Sequence, residues 1–446
     1  MTDQRDAWGE RLPRHLGLWS AVAVLVGTTI GSGIFRVPAS VATLVPEPGP
    51  FLLAWVVGGL VTLAGALTVA ELAAAFPRSG GIFAYVYEGF GPLPAFLFGW
   101  TELLVLRASA LGAIATILAE HLGQLVPLTP MGIKLVAAGT VAAVGLLNYV
   151  GMGRAAGVMN VVTVLKYGAL LALVVLALSV GTGSAAHFIP FASGGVRAAA
   201  FGTALVSILW AYDGWSNLSF SGGEVKDPTR NLPLGLALGT GAIVLIYVSI
   251  NVAYLYLMPI PEMAQATRVA AEAATRIPLL GSAGAAVVAG IVMLSCFGSL
   301  NGSMMTGPRV LFALAERGLF FPGIARVSPR FESPSTAIAL ATTLGVTYVL
   351  LNDFQQLADK FVLGSWPFYC LAVAAVFVLR RRRPDLPRPY RTWGYPLVPL
   401  FFLLASAGLI VNALVTAPRD TALTFAIILA GIPAYLLWQR RAHGSR

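Results

Sequence analysis

The sequence predicts an all-α membrane protein of about twelve transmembrane helices, and three observations predict it. Of 446 residues, 57% are apolar and only 11% are Asp, Glu, Lys or Arg. That is under half the ~25% charge of a soluble globular chain and leaves too few charges to coat a water-facing surface. Apolar runs able to cross a bilayer, roughly 20 residues each, recur along the whole chain. Two of these runs, one in each half of a ten-span core, are interrupted in the same way by glycine and proline, the pattern that points to an inverted repeat.

The elements follow in order. Residues 1–16 are polar, include Arg5, Arg11 and Arg14, and form a terminal segment. The run from Leu16 to Val45 is too long for a signal-peptide core and lacks a cleavage site, so it reads as a retained first span. Further runs centred near residues 63, 110, 140, 170, 210, 245, 297, 345, 370, 405 and 430 bring the total to twelve. The chain divides into 1–16, five spans over 17–182, five over 200–383, two over 394–440 and a tail at 441–446. With both termini in the cytoplasm of a cell (inner) membrane, twenty of the 29 basic residues fall in cytoplasmic loops and tails. The other side carries Arg197, Arg268, Arg276, Lys360 and Arg419, a positive-inside bias. The net charge of +10 is therefore a topology signal and excludes a nucleic-acid role. Arg380–Arg383 reads as an anchor at a span end, suited to anionic membrane lipid. The only cysteines, Cys296 and Cys370, lie in apolar runs, so no disulfide framework is expected. The four histidines sit at span ends, in loops or in tails, and no cluster has metal-ligand spacing. No enzyme chemistry and no cofactor is implied. Four lysines against 25 arginines, with abundant alanine, suggest a GC-rich bacterial genome.

The interruptions carry the chemistry. The first span contains Gly27, Gly31-Ser32-Gly33 and Pro38; the sixth contains Ala211 to Asn217, Gly222-Gly223 and Pro228. Each break frees backbone N–H and C=O groups, tolerated inside a membrane only where they line a cavity or bind something. A half-helix N-terminus offers amides to a carboxylate, and the preceding C-terminal end offers carbonyls to an ammonium. Two breaks face to face suit a zwitterion; the alternative is close helix packing through small residues. Lys166 lies inside the apolar run Val158–Val180, where its charge is costly unless paired, unless it snorkels to the interface. Ser299 and Ser303, at i and i+4, share a helix face. Asp213 either lines the pocket, favouring a cationic side chain, or braces the unwound segment. Glu71, Glu102 and Arg107 are also intramembrane, and a titrating carboxylate among them would allow proton coupling. The five-residue spacing of Glu102 and Arg107 is poor for pairing on one helix, so separate partners are expected.

An ordered series of motifs resembles the L-type amino acid transporter family of the amino acid–polyamine–organocation superfamily. The series begins with Ile30-Gly31-Ser32-Gly33-Ile34-Phe35, Ala70-Glu71-Leu72, Pro77 to Gly81 and Tyr85. It continues with Thr101-Glu102, Arg107, Lys166, Trp210 to Trp215, Glu224 to Pro228, Arg230 to Pro233 and Ser295 to Ser303. The resemblance implies two inverted five-helix repeats plus two C-terminal helices, and exchange of L-amino acids by alternating access. It implies that the amides of Ser32 and Gly33 hold the substrate carboxylate, with Gly31 beside them at the substrate site, and that carbonyls of Thr29, Trp210 and Asp213 hold its ammonium. Trp210 is then the aromatic gate, with Ala211, Tyr212, Ser216 and Asn301 as pocket wall. Lys166 resembles a fixed replacement for sodium that touches the first span at Gly27 and a serine, Ser299 or Ser303. Sodium-independent exchange of small neutral amino acids leads. Broader neutral-plus-cationic exchange, proton-coupled uptake and a membrane amino acid sensor stay open. Three departures stand out: Gly223 precedes Glu224 where the family has two acids, Arg36 is charged where the pattern is not, and residues 120–131 lack cysteine. The last implies no disulfide-linked heavy chain.

Overall fold

The computed structural model describes residues 8–352 and 354–444, with the side chains of 353–363, 420 and 441–444 excepted. Arg5, Arg446 and the side chains of Lys360 and Arg441 thus lie outside the described residues. Apart from two isolated bridges, the regular structure among the described residues is helical. Among the described residues, eight helices are long and apolar enough to cross a membrane, and a bent pair makes a ninth. That pair is span 1, Leu18–Thr29 and Gly33–Leu44, turned by 45° at its break. The others are span 2 (Pro48–Ala75), span 3 (Pro92–Leu125), span 4 (Pro130–Tyr149), span 5 (Met152–Val180), span 7 (Pro228–Leu257), span 8 (within Gly281–Glu316), span 11 (Leu397–Thr416) and span 12 (Thr421–Arg440). Shorter helices supply span 6 (Ala198–Tyr212, continued past its break by Asn217–Phe220) and span 9 (Ser335–Leu351), and the 29-residue helix Phe354–Arg382 supplies span 10. About twelve helices therefore stand in the expected order.

Local chemistry explains these helices. Pro48, Pro92, Pro130 and Pro228 open spans 2, 3, 4 and 7, at the position where a missing N–H costs nothing. Thr28, Thr29, Thr62 and Thr68 donate to carbonyls four residues back, satisfying their hydroxyls without help from outside the helix. Span 5 turns Val161, Val164, Leu165 and Leu171 outward while Lys166 is 0% exposed. Apolar outside and charged inside is the reverse of a soluble helix and fits a lipid surround.

Span 2 packs most extensively on span 7, span 3 on span 8, and span 4 on span 9. The first half of span 1 lies against spans 5, 7 and 8 and Asn217–Phe220, while its second half lies on Ala198–Tyr212. The two breaks are thus brought face to face. Span 11 covers spans 2, 6 and 10, and span 12 covers the start of span 3.

Both described terminal segments lie at the same end. Trp8 packs edge-on against Phe83 and Tyr87, the Arg317 guanidinium lies 4.5 Å from the Tyr87 ring centre, and Trp438 donates to the Gly318 carbonyl at 3.0 Å. The Arg380–Arg383 cluster at this end is partly engaged within the protein. Arg380 grips both oxygens of Glu71 at 2.9 and 2.6 Å, and Arg383 reaches Glu88 at 2.8 Å. These two arginines tie span 10 to span 2 and to the short helix after it, Ile82–Phe90, which the reading as a lipid anchor did not foresee.

Candidate functional site

Where span 1 breaks, the last carbonyls of its first half lose their intrahelical partners. Four in a row find others. The Lys166 amine donates to Gly27 O at 2.5 Å and to Ile30 O at 2.6 Å. The Ser299 hydroxyl donates to Thr28 O at 2.5 Å. The Tyr247 hydroxyl lies 3.1 Å from Thr29 O and 3.1 Å from Ala211 O, so one phenol bridges both breaks. Lys166 and Ser299 therefore meet on neighbouring carbonyls, and no hydrogen bond among the described residues joins them directly. Ser303 lies one turn further along span 8, where its carbonyl accepts from Arg107 at 3.2 Å.

The second break turns at Gly214, whose φ of +106° is open to glycine and strained for other residues. Asp213 N donates to Trp210 O at 3.2 Å. The breaks touch at Gly33, where an added Cβ would come within 2.6 Å of the Ala211 Cα. Ser32 and Gly33 begin the second half of span 1, where the first amides have no partner inside their own helix.

A cavity of ≈ 50 Å³ lies between the breaks, room for only a few water-sized bodies. Its wall includes Thr29, Gly31, Ser32, Gly33, Trp210, Ala211, Asp213, Ser299 and Ser303, all expected at the site. Five expected residues stand off it, Lys166 among them, fully buried behind the first break. Gly27 contributes through its carbonyl to Lys166 instead. Tyr212 points into span 2 and donates to Trp55 O at 3.2 Å. Ser216 is buried beneath the break. Asn301 faces spans 4 and 5, accepting from Asn148 at 2.9 Å and donating to Ala155 O at 3.1 Å. The last is a correction from helix geometry: Ser299 and Ser303 face the cavity, and a residue between them points about 160–200° away.

Span 3 supplies wall residues whose pairing the spacing argued against. Glu102–Leu106 is a π-helical turn. Its wider i to i+5 repeat stacks Arg107 over Glu102, and Arg107 Nε donates to Glu102 Oε1 at 2.8 Å. The expectation of separate partners assumed an α-helix. Span 10 adds Ser365 and Tyr369 to the wall, and Tyr369 donates to Asp213 Oδ1 at 3.0 Å. Tyr247 and Tyr369 escaped the sequence reading, although phenols in apolar runs signal themselves by needing a hydrogen-bond partner when buried.

At the end carrying the termini, Phe220 closes the cavity. Beyond it Glu224 and Arg309, both fully buried, pair at 2.8 Å through Arg309 Nε and at 3.3 Å through Nη2. Glu224, with Gly223 where the family has a second acid, thus pairs with Arg309 by itself. His15 N and Leu16 N donate to Glu224 O at 2.9 Å each, and Lys226 N returns a bond to Leu16 O at 2.8 Å, laying the terminal segment across this exit. Toward the opposite end, Ser32 is shared with a second cavity of ≈ 370 Å³.

The family model described as amino acid permease matches residues 16–437. The chain belongs to the amino acid permease family. Its members are multi-pass membrane transporters rather than enzymes, and the relatives agree with the L-type resemblance. The serine/threonine exchanger of Bacillus subtilis (strain 168) is 30% identical over 96% of this chain and 98% of its own length. The b(0,+)-type amino acid transporter 1 of Mus musculus is 30% identical over 96% of this chain and 88% of its own. The large neutral amino acids transporter small subunit 2 of Homo sapiens is 31% identical over 97% and 82% respectively. In this permease the matched residues, 16–437, include both breaks and the wall of the cavity.

Proposed function

We propose that this permease is a sodium-independent exchanger of small neutral L-amino acids, working by alternating access at the cavity between the two broken spans. The observation that carries the reading is the set of carbonyls from Gly27 to Ile30, already capped by Lys166, Ser299 and Tyr247. A resident ammonium on a helix end does what a bound cation would do there, so no sodium is required. Amides of Gly31, Ser32 and Gly33 take the carboxylate. The carbonyls of Thr29 and Trp210 each keep a second lone pair and, with that of Asp213, take the ammonium. Trp210 and the small volume set the size limit. The similarity to a serine/threonine exchanger supports the substrate class. Pairing of spans 2 with 7, 3 with 8 and 4 with 9 supports two inverted five-helix repeats, over 17–182 and 200–383. The bias of basic residues supports a cell membrane location with both termini in the cytoplasm, and the chain works without a disulfide-linked heavy subunit.

A second reading rests on Asp213, whose carboxylate lines the cavity beside Glu102 and favours a cationic side chain as well. Counterflow in proteoliposomes preloaded with alanine, leucine or arginine decides between them, with labelled alanine outside in sodium-free buffer. Stimulation by internal alanine alone supports the small-neutral exchanger. Stimulation by arginine transfers support to the broad reading. No stimulation by any internal amino acid rejects exchange and brings forward proton-driven uptake or sensing.

A further inference from the structure

The second cavity has no part in the mechanism so far, and it holds the residue that departed most plainly from the family pattern, Arg36. It lies between the second half of span 1, span 3, the segment Thr267–Ala271 and span 8. Much of its wall is apolar, with Phe35, Ile117 and Val292 among the lining residues, and it carries two guanidiniums, Arg36 and Arg268, against one carboxylate, Glu120. His121 also lines it, with Nδ1 held 2.9 Å from Ile117 O. Arg36 and Glu120 meet loosely, at 3.9 Å, with side chains 52% and 42% exposed. An exposed pair of this kind contributes little, so a ligand separates it at small cost. A zwitterion fits what is then offered. Its carboxylate takes the surplus positive charge, where a guanidinium can make two parallel bonds, and its ammonium takes Glu120. Low-dielectric walls extend the reach of such charges into the water above. The contact between the two cavities is Ser32, where the amides of the central site begin.

We propose that this cavity is a capture site for the amino acid on the outer face, with Arg36 and Arg268 holding the carboxylate and Glu120 the ammonium before transfer past Ser32. The proposal rests on the exchanger reading and its orientation. It assigns a second binding site and makes the two faces of the permease unequal.

The test separates outer from inner affinity in intact cells, where all copies share one orientation. Uptake of labelled alanine gives the outer KM, and efflux against graded internal alanine gives the inner one. Arg36→Gln raises the outer KM about five- to tenfold, the loss of one charge-assisted contact, while the inner KM stays within twofold. Arg36→Lys lies between, and adding Arg268→Gln raises the outer KM further. Equal shifts on both faces, or an outer KM within twofold of wild type, overturn the proposal. A second readout needs no transport. Gln124→Cys on the cavity wall, in a Lys166→Ala background, is labelled from outside by an impermeant thiol reagent. External alanine slows the labelling, and Arg36→Gln abolishes the slowing. Labelling that alanine leaves unchanged, or that fails from outside, rejects the capture site. Should the wild type exchange no amino acid, the exchanger reading fails by itself and the labelling still decides on the cavity.

Discussion

Lys166 shows how one buried side chain replaces a ligand. Burying an amine without partners is costly, and here it is matched by two carbonyls that a broken helix leaves without intrahelical partners. Lys166→Ala removes both bonds and uncaps the helix end, so exchange falls by about tenfold or more at equal protein levels; counterflow per copy of reconstituted protein measures it. Normal uptake by that variant would sink the assignment. Tyr247 makes the same point from the other break. Tyr247→Phe leaves Thr29 and Ala211 carbonyls without their shared donor, worth about 1–3 kcal/mol, and lowers kcat/KM in counterflow without changing expression. Lys166 was legible in the sequence because a charge in an apolar run demands a partner. Which carbonyls it holds was not, since the partners lie 136 and 139 residues away.

Single elements decide which side chains meet. The π turn at Glu102–Leu106 adds one residue to the ring closed by each hydrogen bond and so turns a poor i to i+5 spacing into a buried ion pair. Deleting Leu104 restores α geometry and leaves Arg107 four residues after Glu102, about 40° round the helix and still within reach of it. The expected outcome is a permease that keeps the pair and its thermal stability in detergent, whereas Glu102→Gln, which removes one partner of the buried pair, lowers the unfolding temperature; melting curves of the two variants measure it. The Glu224–Arg309 pair is the other element-scale lock. Removing one partner of a buried pair costs about 3–5 kcal/mol, so Glu224→Gln lowers the unfolding temperature strongly. A double substitution to apolar residues of similar volume recovers much of it, as thermal unfolding of the purified protein will show.

Across the whole molecule, loops at the end away from the termini hold the helix ends in register. Glu47, between spans 1 and 2, accepts from Ser193 N at 2.7 Å and Gly195 N at 2.8 Å in the linker between spans 5 and 6. Backbone donation by Ser193 holds its carboxyl below the ordinary value of 4.5. A depressed folded value means the stabilisation is present above the ordinary carboxylate range and is lost as pH falls through the folded value. Wild type is therefore more stable than Glu47→Gln at neutral pH, and the gap closes in acid; paired melting curves across that range measure it. By itself, the sequence determined the solvent, the number and order of the spans, the two breaks and the cost of burying Lys166. These follow from composition and from short-range periodicity, which act within a turn or two of helix. Only the tertiary structure decided that Asn301 faces away from the cavity, that Arg107 folds back on Glu102, that Glu224 pairs with Arg309, and that Tyr247 bridges both breaks. Each of these depends on the rotation of one helix against another, and that rotation is set by packing between residues far apart in the chain.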